Sequence, residues 1–378
     1  MKAVTFQGIK DVKVKEVPSP KIEKSDDIVI KVTTSAICGS DLHLIHGMIP
    51  NFPEDYIIGH EPMGIVEEVG PDVKNLQKGD RVIIPFNVAC GECFFCKNNL
   101  ESQCDNSNDN GEIGGFFGYS DLTGGYPGGQ AEYLRVPYAN FTPFKIPENC
   151  EVEDEQLVLL SDAASTAFWS VDNAGVKDGD TVVILGCGPV GLLAQKFAWF
   201  KGAKRVIAVD NLEYRLQHAK KTNKVETVNF EHHPNTGEYL KEITKGGADV
   251  VIDAVGMDGK MTPMEYLATG LKLHGGTLSA LVIASQAVRK GGTIQVTGVY
   301  GGRYNAFPLG DIFQRNVNIR SGQAPVIHYM PYLYNLVSQG KMDFGDVITH
   351  VMPLSEAEKG YEYFDTRTDN CIKVVLKP

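Results

Sequence analysis

The chain has 378 residues, 43% of them hydrophobic and 22% charged, with a formal net charge of −11. That length exceeds one ordinary core and predicts about two domains, and the acidic balance argues against a nucleic-acid partner, which would want a basic face. No apolar run reaches the ~18 residues of a membrane span, and the first residues lack the apolar core and cleavage site of a signal peptide, so no membrane partner and a cytoplasmic location are expected.

Met1 to Val17 alternates charged and apolar residues and predicts strands. Up to about residue 155, short alternating runs such as Ile28 to Val32 and Arg81 to Ile84 predict an antiparallel, barrel-like β-domain with long loops. Within it stand Cys38-Gly39-Ser40-Asp41-Leu42-His43 and Gly59-His60-Glu61. Taken singly, such a cysteine or histidine reads as packing. Together they supply a thiolate, an imidazole, carboxylates and a hydroxyl–imidazole pair, the components of an open zinc site with a proton relay.

Cys90, Cys93, Cys96 and Cys104 form C-x2-C-x2-C-x7-C, and half of the eight cysteines fall in this stretch. Four thiolates so close can complete a tetrahedron around zinc and leave no open position, which predicts a structural role. An iron–sulfur cluster, disulfides and a nucleic-acid-binding zinc module are the rival readings, the last opposed by the acidic balance. The loop from Asn98 to Gly129 is polar and glycine-rich, a length usual for functional or poorly ordered loops.

From about Asp178 the texture changes. Continuous apolar runs at Thr181 to Leu185, Arg205 to Val209, Ala248 to Ile252 and Thr293 to Val296 alternate with helical patterns and predict βαβ units with a parallel sheet. Gly186-Cys187-Gly188-Pro189-Val190-Gly191 follows the first of these strands and opens a helical pattern. Its glycines permit a tight turn, backbone approach to a pyrophosphate and close helix–strand packing. Asp210 ends the next strand, where it would accept ribose hydroxyls and repel a 2′-phosphate, so NAD is expected over NADP. A structural glycine turn in some other α/β protein is the bland alternative. The segment from Met257 to Ala287 is long for a simple connection, and the last fifty or so residues return to mixed texture, ending in the apolar run Lys373 to Leu376.

These motifs, with Gly59-His60-Glu61-Pro62-Met63-Gly64 continuing to Gly70-Pro71-Asp72-Val73, make the chain similar to the zinc-containing medium-chain dehydrogenase/reductases over nearly its whole length. The resemblance implies an α/β fold in two parts. Roughly residues 1–163 and 323–378 would form a GroES-like, β-rich catalytic domain with a structural zinc lobe at about 88–106, and 164–322 an inserted, doubly wound Rossmann domain binding NAD. Pro85 to Cys90 and Gly128 to Tyr133 are similar to the glutathione-independent formaldehyde dehydrogenase branch.

Carried over by motif, Cys38 and His60 match catalytic zinc ligands, and Asp162 stands where many alcohol dehydrogenases have a cysteine as third ligand. Read from the residues alone, Asp162 would equally cap the helical pattern that follows it. Glu61 matches a carboxylate behind the metal that can enter its coordination, Asp41 a partner of the ligand histidine, and Ser40 and His43 the proton relay. Thr166 matches a residue near the nicotinamide, Gly298 and Val299 the segment holding its carboxamide, Arg215 a cofactor contact and Phe86 a substrate-pocket wall. Gly39 replaces a basic residue of relatives, which makes Lys373 the candidate to supply charge to the cofactor instead. The 257–287 segment resembles an insertion over the adenosine end of the cofactor, where it would slow NAD release.

The expected reaction is hydride transfer between a small alcohol, or hydrated aldehyde, and NAD, assisted by one of two zinc ions per chain. Formaldehyde, a short primary alcohol and a polyol all remain open as substrates, and a homo-oligomer, dimer or tetramer, is expected. Two other classes stay in view: a non-catalytic zinc-binding recognition protein, and an NADP-linked reductase of the same superfamily.

Overall fold

The structure is a computed structural model that describes residues 1–49, 52–111, 113–256, 277–301, 304 and 307–378. The chain forms two compact units, one of residues Met1–Ser165 with Ala324–Pro378, the other of Thr166–Gln323.

The first unit is built on a seven-stranded sheet in the order Ile348–Pro353, Lys373–Lys377, Ile28–Ile37, Glu61–Val69, Arg81–Ile83 and Phe144–Lys145, with Tyr133–Val136 also pairing Ile28–Ile37. Its central strand, Ile28–Ile37, is β-branched and almost wholly buried, as a strand covered on both faces must be. The pairing register fixes what lies at one end of this sheet. Ala36 sits opposite Glu61 on one side and Val375 on the other, so Cys38, Glu61 and Lys373 come from three adjacent strand ends. Two apolar clusters pack here. One joins Val4, Ile37, Leu44, Ile58, Tyr361 and Val374, and the other joins Ile30, Val66, Ile84, Phe117 and Val136. The hairpin Lys2–Gly8 and Asp11–Glu16 forms a separate two-stranded sheet, in agreement with the alternating N-terminal pattern.

Helix Gly39–Ile45 begins at once after Cys38. The Asp41 carboxylate accepts the Cys38 backbone N–H at 3.0 Å, so this acid satisfies a free donor at the helix start.

The second unit holds a six-stranded, all-parallel sheet in the order Glu226–Asn229, Arg205–Asp210, Thr181–Leu185, Ala248–Asp253, Val288–Val296 and Asn318–Ser321. In chain order this is 3-2-1-4-5-6, the doubly wound arrangement of dinucleotide-binding folds. Each apolar run expected to be a strand is one. Of the 257–287 segment, residues 257–276 lie outside the described residues, and with them the expectation about NAD release. Helix Ser279–Ala287 follows and packs into the core with Val251, Leu240 and Val288. No helix among the described residues is long and apolar enough to cross a membrane.

The turn between Leu185 and helix Pro189–Phe200 is set by glycine. Gly186 has φ of +95°, which a side chain would strain, and a Cβ at Gly191 would stand 2.0 Å from the Gly186 carbonyl oxygen. Gly191→Ala is therefore expected to cost about 1–3 kcal/mol of unfolding free energy, as overpacking does. At Gly188 the nearest atom to an added Cβ is 3.8 Å away, so Gly188→Ala should keep stability. Urea denaturation of the two variants checks the contrast.

Candidate active site

Two groups of possible metal ligands occur among the described residues, and each brings all its ligand atoms within 4.8 Å of one another. The first is Cys38, His60, Glu61 and Asp162. Asp162 Oδ2 lies 3.4 Å from Cys38 Sγ and 3.3 Å from His60 Nε2, and Ser40 Oγ lies 3.3 Å and 3.2 Å from the same two atoms. Asp162 follows the short turn Val158–Ser161 and precedes helix Ala163–Ala174, so its position at a helix start is real. One of its oxygens nonetheless faces the thiol and imidazole, so the cap alone does not account for the residue.

His60 is oriented from behind: its Nδ1 lies 3.0 Å from Asp41 Oδ1, which leaves Nε2 directed at the cluster. Gly59, with φ of +92°, makes the sharp turn before it and packs directly on Gln130. Phe86 stands edge-on to the His60 ring at 6.2 Å and to Phe116 at 5.3 Å, an apolar wall beside the imidazole. His43, expected at the outlet of the relay, is buried on helix Gly39–Ile45 rather than exposed.

The electrostatics of this group bear on what it can hold. Burial pushes the Cys38 thiol up, and the Asp162 and Glu61 carboxylates push it further. Glu61 is raised by burial and by Asp162 against the pull of Lys373. For His60 burial opposes the charged form, but Asp41, Cys38 and Asp162 outweigh it and hold its pKa well above the usual value. Glu61 Oε1 is buried with no hydrogen-bond partner among the described residues. A thiol and carboxylates that disfavour one another's charged forms, gathered around an imidazole, are what a divalent cation relieves, so the residues present fit a zinc ion.

Lys373 requires a correction. It was expected to offer charge to the cofactor, but it is 1% exposed, with its ammonium hydrogen-bonded to Glu61 Oε2. A buried ammonium needs a carboxylate, and Glu61 is the one its strand end reaches. Lys373 therefore belongs to the acidic cluster.

The second group is the four cysteines. Cys93 and Cys96 Sγ lie 3.5 Å apart, Cys93 and Cys104 3.9 Å, and Cys90 and Cys96 4.0 Å. A tetrahedral zinc with ~2.3 Å bonds to sulfur has S···S edges of about 3.8 Å, which these separations bracket. Backbone N–H groups of Glu92 and Cys93 donate to Cys90 Sγ, that of Cys96 to Cys93 Sγ, and that of Cys90 to Cys104 Sγ. Its contact with Cys96, with backbone N–H groups added, holds the Cys104 thiol well below the usual thiol range. All eight cysteines are free in the structure, and the four of the lobe gather as a group rather than in pairs, which speaks against the disulfide reading. Cys187 is buried in the glycine turn and burial raises its thiol, as a filler should behave.

In the second unit, the carboxylate of Asp210 accepts the backbone N–H of Cys187 at 2.7 Å, and those of Asn211 and Leu212 at 2.7 and 2.9 Å. It thus ties the glycine turn to the next strand end. Pro189 and Val190 open helix Pro189–Phe200 after Gly188, which caps it with no side-chain hydrogen bond, so the N–H groups of its first turn have no side-chain acceptor at the cap. Arg215, on helix Glu213–His218, has a guanidinium nitrogen 3.8 Å from where a Gly188 Cβ would stand. The Thr166 carbonyl accepts Ser170 Oγ at 2.6 Å, and Ser170 Oγ accepts Thr297 Oγ1 at 2.9 Å, linking Thr166 to the Gly298–Val299 segment.

Sequence reasoning missed Asp253 and Tyr300. Buried Asp253 accepts Tyr300 Oη at 2.7 Å and the N–H groups of Val255 and Gly256, while its own carbonyl accepts Gly298 N–H at 2.8 Å. It holds the turn against which Gly298 and Val299 pack. An aspartate ending a third apolar strand was the available signal.

A family model described as "Alcohol dehydrogenase GroES-like domain" matches residues 24–148, and one described as "Zinc-binding dehydrogenase" matches residues 189–278. The chain is 79% identical to the uncharacterized zinc-type alcohol dehydrogenase-like protein AdhB of Bacillus subtilis (strain 168), over 100% of both. It is 33% identical to a glutathione-independent formaldehyde dehydrogenase of the same organism, over 96% of this chain and 94% of that one. Among solved structures, alcohol dehydrogenase TADH from Thermus sp. ATN1 is similar at a TM-score of 0.84 and 34% identity, covering 100% of this chain and 99% of that one. The fold and the buried donor cluster thus define a zinc-type medium-chain dehydrogenase. The chain belongs to the zinc-type alcohol dehydrogenase family and is a zinc-dependent alcohol oxidoreductase. The reading as a non-catalytic zinc-binding recognition protein is set aside.

The Glu61–Lys373 pair yields a test of its own. Lys373→Met strands a carboxylate in the interior and should cost about 3–5 kcal/mol of stability, whereas adding Glu61→Gln should recover much of that loss. A double-mutant cycle by chemical denaturation measures the coupling.

Proposed function

We propose that the chain is an NAD-linked dehydrogenase of small alcohols and aldehydes, with its catalytic zinc held by Cys38, His60 and Asp162. The observation that carries this reading is the convergence of Cys38 Sγ, His60 Nε2 and Asp162 Oδ2 beside the Ser40 hydroxyl. Three such donors leave a fourth position for substrate, and Glu61, occupied by Lys373, stands behind them. A second zinc held by Cys90, Cys93, Cys96 and Cys104 orders the lobe.

A zinc ion in the first site would lower the pKa of an alcohol, and a bound nicotinamide would accept its hydride. Ser40 would accept the alcohol proton at Oγ while passing on its own hydroxyl proton, and His43, three residues along the same helix, is the second group assigned to that relay. Phe86 and Phe116 close one side with apolar surface and favour a small substrate that needs little room beside His60. The formaldehyde dehydrogenase relative supports the same class of substrate.

Thr166, Gly186, Gly188, Pro189, Val190, Gly191, Arg215, Gly298 and Val299 hold the nucleotide in this reading, and Asp210 selects NAD. Its carboxylate is fixed beside the glycine turn by three N–H groups, where a 2′-phosphate would meet negative charge. Arg215 speaks for the alternative, since a guanidinium near the turn can receive that phosphate. A homo-oligomer is supported by the edge strand Asn318–Ser321, exposed throughout and flanked by Leu309 and Phe313, exposed by 62% and 80%.

A panel of alcohols and aldehydes assayed with NAD and with NADP, alongside zinc stoichiometry, tests the whole reading. Equal turnover with both nucleotides would remove the role given to Asp210. In a preferring enzyme, Asp210→Ala should weaken NAD binding and narrow the gap to NADP.

Asp162→Ala is expected to lose one zinc per chain and nearly all turnover, while the cysteine-lobe zinc and nucleotide binding survive. Loss of a helix cap alone would cost about 0.5–2 kcal/mol and leave both metals bound. Metal analysis of this variant decides between them.

A further inference from the structure

Behind His60 and Asp41 lies a further buried chain of polar groups that the site described above does not use. Tyr361, on helix Ala357–Thr366 near the C-terminus, donates its hydroxyl to Gln130 Oε1 at 2.8 Å. Gln130 Nε2 in turn donates to the Ala36 carbonyl at 3.1 Å and to Asp41 Oδ2 at 3.3 Å. Asp41 Oδ2 also accepts the Cys38 N–H, and Asp41 Oδ1 faces His60 Nδ1 at 3.0 Å. Gln130 and Asp41 are fully buried and Tyr361 is 2% exposed.

The direction of each bond follows from its partners. Turned over, the Gln130 amide would set its oxygen against both a carbonyl and a carboxylate, so Tyr361 must be the donor at the other end. Burial, with the charge of Asp41 added, holds the Tyr361 phenol well above its usual range and keeps that donor protonated. Gln130 also packs directly on the turn before His60. A Cβ at Gly59 would stand 2.3 Å from its Cγ, so the turn that aims His60 is in contact with the side chain that aims Asp41.

We propose that Gln130 and Tyr361 are positioning residues for the metal centre: Tyr361 fixes the amide of Gln130, Gln130 fixes the carboxylate of Asp41, and Asp41 fixes the His60 ring. The physical basis is that a ligand imidazole is only as well aimed as the group bound to its other nitrogen. Without Gln130, Asp41 Oδ2 loses its side-chain donor and keeps the Cys38 N–H, so the carboxylate is held less firmly about its last bond. Through this chain the C-terminal helix, far away in sequence, acts on the geometry of a ligand near residue 60. The inference rests on the reading of Cys38, His60 and Asp162 as zinc ligands.

The experiment uses the intact zinc protein, with Gln130→Met and Tyr361→Phe as near-isosteric variants. Zinc transfer to a colorimetric chelator is followed in time, and the catalytic phase is the one that Asp162→Ala abolishes. Gln130→Met should release zinc in that phase about tenfold faster, the low end of the range for partners of metal ligands, and Tyr361→Phe should release it faster by a smaller factor. In protein with cobalt in the catalytic site, both variants should shift or broaden the visible absorption bands. In turnover, kcat should fall with the KM for nucleotide unchanged. A mere packing role would lower thermal stability and leave release rate and cobalt spectrum unaltered, and that result in Tyr361→Phe overturns the proposal even if Gln130→Met does not fold. Absence of the catalytic phase from the unmodified protein would instead sink the ligand assignment itself, a separate outcome read before any variant is made.

Discussion

The constraint on which the first unit depends is the crowding of Cys38, Glu61 and Asp162 around His60 in a buried place. Groups that can each bear a negative charge are held within 4.8 Å of one another, and each raises the cost of ionising the next. One ammonium, Lys373, answers one of them. Burial makes this imbalance expensive, since an uncompensated charge in the interior costs several kcal/mol even after relaxation. A divalent ion would offset this repulsion by coordinating the same donors. Glu61 is the member of the cluster whose charge Lys373 answers, which is why the proposed reading gives the metal to Cys38, His60 and Asp162.

Strand register is what brings such a costly arrangement about. Ile28–Ile37 is buried on both faces, so it cannot slip without exposing apolar residues, and its neighbours are held in phase with it. Because Ala36 pairs across to Glu61 and to Val375, acid and ammonium arrive at the same sheet end from opposite ends of the chain. Asp162 comes from a third place, the turn before helix Ala163–Ala174. No local stretch of sequence could build this group. A fold that returns its C-terminal strand to the middle of an N-terminal sheet can.

The second unit reaches its chemistry by other means. Its candidate nucleotide site is mostly backbone: a glycine turn with φ of +95°, free N–H groups at a helix start, and the Gly298 segment packed against Gly256. Side chains serve mainly to hold that backbone, as Asp210 does for Cys187 and Asp253 does for Gly256. Both acids end parallel strands, where N–H groups of the following turns need acceptors. A residue chosen to select a cofactor and one chosen to hold a turn can therefore look alike in sequence, and Asp210 performs the second task whatever becomes of the first.

That difference explains what the sequence disclosed. Backbone sites leave their mark as glycines at fixed spacing beside apolar strands, so the turn at Gly186, the parallel sheet and the cysteine lobe were all legible. Cys38 and His60 could be read together as components of an open zinc site, but Asp162 joined them only through likeness to a family, because spacing says nothing about residues that meet through the fold. Lys373 was misjudged for the same reason: its charge was visible, but its burial against Glu61 depends on which strand lies beside which. Gln130 showed only as part of the Gly128 to Tyr133 stretch, with no role attached, and Tyr361 gave no signal, on an amphipathic helix where a tyrosine reads as core. A buried polar chain is invisible until both ends are placed, since each member resembles an ordinary packed side chain and only its unmet hydrogen bonds would betray it.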